Sequence, residues 1–107
     1  MVIRYANDEV ERICNSEQYA QRYYSPAVCG QLKNLMVRLA ATDKFFIFYQ
    51  SDFLRKKYKC HQLKGKKKGI VSLSIDRSIR MELIVEHEIV DGKDVITILE
   101  VSNHYGD

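Results

Sequence analysis

The sequence predicts an α+β fold in which N-terminal helices pack on one face of a mainly antiparallel sheet. Three observations carry this. Apolar residues in the first half recur at helical spacing, and from His61 onward they alternate with polar residues at a period of two. An Asp-Gly pair, Asp91-Gly92, then separates two alternating runs, which is a strong hairpin signal. An antiparallel meander has an apolar face to cover, and the helical half is the available cover. With 107 residues, residues 1–107 are expected to form a single domain.

The elements follow in order. "VIRY" reads as a short opening strand. Asn7 or Asp8 can cap a helix through "DEVERIC", whose early acids suit the helix dipole. Ser16-Glu17 restarts the helix as far as Tyr24, and Ser25-Pro26 restarts it again, with Ser as cap and Pro at the first helical position. Leu32, Leu35, Met36 and Leu39 then form one apolar stripe, read as core. Within residues 42–58, "FFIFY" reads as a buried strand or a loop plug, and "SDFLRKKY" as a short helix with a basic end. In the β half, Val71, Leu73 and Ile75 share one face, as do Ile79, Met81, Leu83 and Val85. The opposite face carries Ser72, Ser74, Arg80 and Glu82 and is expected to lie open. Glu82 and Glu86 read as solvated charges, and His87 as a surface residue.

Composition narrows the function classes. Hydrophobic residues make up 46% and charged residues 29%, which excludes a disordered chain. Cys14, Cys29 and Cys60 are odd in number and lack Cys-x-x-Cys spacing, so free thiols in a reducing cytosol are expected. The three histidines and three cysteines lack zinc-ligand spacing, so no metal site is expected. No apolar run approaches about 18 residues, and no signal-like segment opens the chain. These features predict a cytoplasmic protein with no membrane association.

The net charge of +3 is unevenly spread. Eight of the fourteen positions 55–68 are basic (Arg55, Lys56, Lys57, Lys59, Lys64, Lys66, Lys67, Lys68) and none is acidic. Alone, such a run is the composition of a solvated loop. Beside a sheet face carrying Arg80, with His61 at one end and Asn103, His104 and Tyr105 at the other, it can hold a polyanion. Lys and Arg neutralise phosphate, while His and Tyr move protons or stack on unpaired bases.

The two helices, "HQLKG" from His61 to Gly65, the spacing of Gly69, Ser72 and Arg80, and the aromatic-and-His ending resemble the HigB toxins of the RelE/ParE superfamily. The opening "IRYANDEVERIC" is similar to the plasmid maintenance system killer protein subgroup. The resemblance implies a RelE/ParE-like fold and a type II toxin–antitoxin toxin. Its activity would be that of a ribosome-dependent, metal-independent mRNA endoribonuclease that needs no cofactor. In such an enzyme the ribose 2′-OH attacks its own phosphodiester and translation stops.

The implied partners are a helix-turn-helix, HigA-like antitoxin, the ribosome and messenger RNA, with operator DNA reached only through the antitoxin. His61 takes a proton-transfer or phosphate role, Arg80 stabilises phosphate charge, and His104 and Tyr105 complete the catalytic set. Lys56, Lys57, Lys59, Lys64, Lys66, Lys67, Lys68 and Asn103 become RNA- or ribosome-binding residues. The ending departs from the family's usual Asp-Tyr-His: Asn103 lacks the carboxylate, and the Tyr–His order is inverted. Two other readings stay open: a ParE-like gyrase poison, which needs neither His61 nor His104, and an inactive antitoxin- or RNA-binding module of the same fold.

Overall fold

The structure is a computed structural model and describes residues 1–103, the side chain of Ile89 excepted. Five strands form one sheet in the order β1-β5-β4-β3-β2. They are β1 (Val2–Tyr5), β2 (His61–Gln62), β3 (Val71–Ser74), β4 (Ile79–Val90) and β5 (Lys93–Asn103). β1 runs parallel to β5 and every other pairing is antiparallel. The helices are α1 (Asp8–Asn15), α2 (Glu17–Ala20), α3 (Pro26–Ala41), α4 (Phe45–Gln50) and α5 (Asp52–Lys57).

Local chemistry sets most helix starts. The side chains of Asn7, Ser16, Ser25 and Ser51 accept hydrogen bonds from the backbone N–H of Val10, Tyr19, Val28 and Leu54. Each cap satisfies a donor that the first helical turn leaves without a partner. α2 is shorter than the sequence suggested, ending at Ala20. α3 supplies the stripe of Leu32, Leu35 and Leu39, packed with Leu73, Met81, Leu83, Ile96 and Ile98 into the buried core.

The "FFIFY" segment is a correction: it forms α4, neither a strand nor a loop plug. Phe45 and Phe48 turn inward while Phe46 and Ile47 stay about half exposed. That is a helical division of faces, which a run of five apolar residues conceals. α4 also has no local side-chain cap. Its first N–H, from Phe45, donates instead to Asp94 Oδ2 at 3.0 Å, across 49 residues of chain.

The β half follows the predicted period. Asp91 (φ 54°) and Gly92 (φ 77°) both take left-handed backbone between Val90 and Lys93, as a type I′ hairpin turn requires. β4 pairs Glu82 with Glu100 but Leu83 with Ile98, leaving Leu99 as an extra residue in β5. β1 covers β5 only from Val95 to Ile98. Beyond that, the edge is met by Tyr24, whose hydroxyl donates to the Val101 carbonyl at 3.1 Å.

Candidate functional site: the polar sheet face and its lysine turn

Residues paired across neighbouring strands project to the same face of a sheet. His61 pairs with Ser72, Ser72 with Glu82, and Glu82 with Glu100, so these four form one row. The next row is Ser74, Arg80 and Ser102. His61 and Arg80 therefore share the face away from the helices, one row apart.

Part of this face is covered, where the sequence leads one to expect an open surface. Ser72 is 0% exposed and Glu82 only 6%. The cover comes from a 3-10 turn at Gly65–Lys67 that folds back over the strands. Gly65 (φ 68°) and Gly69 (φ 93°) supply the left-handed backbone at its two ends. Lys67 then reaches down, with Nζ 3.0 and 3.2 Å from the two Glu82 oxygens. Glu82 is thus a paired, buried carboxylate and not the solvated charge the sequence suggested. The Ser72 hydroxyl has no hydrogen-bond partner among the described residues.

His61 is exposed at the edge of the sheet, with Nδ1 2.7 Å from the Lys59 carbonyl. A carbonyl can only accept, so this contact places a proton on Nδ1 and leaves Nε2 of the neutral ring as the available base. Lys59 holds its carbonyl there from a left-handed backbone, φ 46°. The lysines Lys64, Lys66 and Lys68 are exposed around the same turn.

The other candidates are placed less uniformly. Lys56 and Lys57 end α5, and Lys57 borders a hollow with Gln31, Asn34, Tyr58 and Ile75, on the helical side. Its Nζ lies 5.7 Å from the Phe53 ring centroid and 5.5 Å from that of Tyr58. Asn103 pairs with Ile79, so it stands on the opposite face from Arg80 and Ser102. Ser102 occupies the Arg80 side of the strand. His104 and Tyr105 lie outside the described residues.

Sequence reasoning missed the Lys67–Glu82 pair and the Ser72 burial. Alternation put Ser72 and Glu82 on one face, but nothing local says that a lysine 15 residues upstream of Glu82 turns back to cover it. The three cysteines are free and buried. Burial pushes the Cys14 and Cys60 thiols up to about 12, so neither is a nucleophile near neutral pH. Among the described residues no helix is long and apolar enough to cross a membrane.

No protein-family model and no curated protein matches the chain. Solved structures do match it. A YoeB/ParE toxin from Agrobacterium tumefaciens aligns with a TM-score of 0.63 and 17% identity, covering 98% of this chain and 100% of its own. A histidine-to-glutamine mutant of YafQ from E. coli aligns with the same score and identity, covering 97% of each chain. YafQ from E. coli strain BL21(DE3) gives 0.61 and 15%, again over 97% of each chain. The architecture is therefore the RelE/ParE-like fold, along nearly the whole chain.

Proposed function

We propose that the protein is the toxin of a type II toxin–antitoxin system, of the HigB type, acting as a ribosome-dependent and metal-independent mRNA endoribonuclease. The observation that carries this reading is the shared face of His61 and Arg80, rimmed by Lys64, Lys66 and Lys68. A fold whose solved neighbours include a YoeB/ParE toxin supports it.

In the chemistry this arrangement suits, the 2′-OH attacks the adjacent phosphorus and the 5′-oxygen leaves. His61 Nε2, its ring fixed through Nδ1 on the Lys59 carbonyl, takes the 2′-OH proton. Arg80 meets the charge that accumulates on the non-bridging oxygens. The exposed lysines hold flanking phosphates or ribosomal RNA, and their contribution falls with salt. His104 or Tyr105 supplies the proton to the leaving oxygen. The partner that silences the site is a helix-turn-helix antitoxin.

The test is primer extension on a defined message translating in a purified ribosome system. Wild type should cut at codon-defined positions. His61→Ala, Arg80→Ala and His104→Ala should each lose roughly 10²–10⁴-fold in rate. A folded wild type that leaves the message intact would overturn the nuclease reading in favour of gyrase poisoning or binding alone.

A further inference from the structure

A second concavity lies on the opposite side of the sheet. It is a cleft of about 280 Å³ lined by Phe45, Phe46, Tyr49, Gln62, Val71 and His87, among others. Val71 of β3 belongs to its apolar sheet side, α4 supplies its aromatic residues, and Gln62 and His87 add polar groups.

The cleft is built, not incidental. Asp94, 3% exposed, accepts from the Phe45 N–H at 3.0 Å and lies with Oδ2 3.4 Å from His87 Nδ1. One buried carboxylate thus ties the start of α4 to β5 and lies beside the exposed His87 ring. The Phe45 ring tilts against Tyr49 with centroids 6.3 Å apart, and the Arg55 guanidinium sits 5.9 Å from the Tyr49 centroid. Phe46 is 53% exposed, an aromatic surface with its apolar area left to solvent.

We infer that this cleft is a base-binding subsite: it takes one unpaired nucleobase of the RNA strand whose phosphate lies at His61. The inference rests on the endoribonuclease reading. Its warrant is the two-residue strand β2, which lies at the sheet edge. His61 and Gln62 are consecutive there and project to opposite faces. Because β2 is the outermost strand among the described residues, an RNA strand leaving His61 rounds that edge to reach the Gln62 side.

The base then meets aromatic surface for stacking and the Gln62 amide, which donates and accepts, for its hydrogen-bonding edge. Gly69, on the cleft wall, follows directly on the exposed Lys66 and Lys68, so positive charge adjoins the aromatic recess. The combination of aromatic faces with adjacent lysines fits single-stranded nucleic acid better than an apolar peptide, because the turn leading into the cleft carries the exposed Lys64, Lys66 and Lys68.

The experiment is steady-state cleavage in the ribosome system, using messages that vary only the nucleotide beside the cut. Circular dichroism melting checks that each variant is folded. Phe46→Ala should raise KM about tenfold with kcat retained, the size expected for one lost stacking partner. Gln62→Leu should flatten the base preference at that nucleotide. If wild type cuts and both variants match it in KM and preference, the inference is overturned while the endoribonuclease reading stands. If wild type does not cut, the endoribonuclease reading fails and takes this inference with it. Unchanged cleavage together with anisotropy-detected binding of a Glu/Leu-rich helical peptide, lost in Phe46→Ala, would give the cleft to a protein segment and overturn the proposal.

Discussion

The two faces of the sheet are shielded from water to different extents and by different means. On one, Leu73, Met81, Leu83, Ile96 and Ile98 are sealed by helices that bring apolar surface of their own. On the other, Ser72 and Glu82 lie beneath a single turn whose Lys67 side chain is itself 57% exposed. The first cover is stabilised by the hydrophobic effect and is non-directional. The second depends on one charge pair and on glycine-bracketed backbone, so it is local and directional. The comparison suggests that the helical face holds the fold, while the polar face holds a turn that can be altered without unfolding the protein.

The largest expected effect is on the helical face. Leu83→Ala removes a fully buried side chain between α3 and the sheet and should cost about 3 kcal/mol in urea unfolding. A loss as small as that of a surface change would mean the helices do not seal this face. Next comes Lys67→Met, which leaves the Glu82 carboxylate buried without its cation. Because Lys67 is more than half exposed, the cost should be near 1–2 kcal/mol, roughly the range for a hydrogen bond to a charged group discounted for solvent. Adding Glu82→Gln should recover part of it, and failure to recover would show that the turn is held by something else.

An effect seen only at high pH concerns the thiols packed on the helical side. Cys14 and Cys60 are raised by burial from 9.0 to about 12. In the unfolded chain they ionise first, so their contribution to stability is intact below pH 9.0 and is lost as the pH rises toward about 12. The urea midpoint should therefore fall above that lower limit. Iodoacetamide should label Cys14 and Cys60 only after unfolding, and rapid labelling of native protein would break the picture of a sealed face. The smallest effect belongs to Ser72→Ala. Its hydroxyl is buried without a partner among the described residues, so its removal should be neutral or slightly stabilising. A clear destabilisation would reveal a bond that the polar face makes to Ser72.

Legibility in the sequence followed the range of the interactions. The caps at Asn7, Ser16, Ser25 and Ser51, the Asp91-Gly92 turn and the alternation of β3 and β4 are set within a few residues, and each reads directly from the chain. α4 is not legible locally because its N-terminal partner, Asp94, is distant in sequence, and because five successive apolar residues carry no visible period. The site divides the same way. Period-two alternation put Arg80, Ser72 and Glu82 on one face. It could not show that Lys67 pairs with Glu82, that Lys57 faces α3, or that Asn103 stands across the strand from Arg80.

The sequence by itself determined the class of fold, the order of its elements, the face on which Arg80 stands and the concentration of positive charge near His61. These depend on local backbone preference and on side-chain periodicity, which are properties of neighbouring residues. Tertiary structure alone decided that β1 runs parallel to β5, that α4 is capped by Asp94 beside an aromatic cleft, and that Lys67 covers Glu82 on the polar face. Each of these joins groups far apart along the chain, and their pairing has no signature until the core has brought them together.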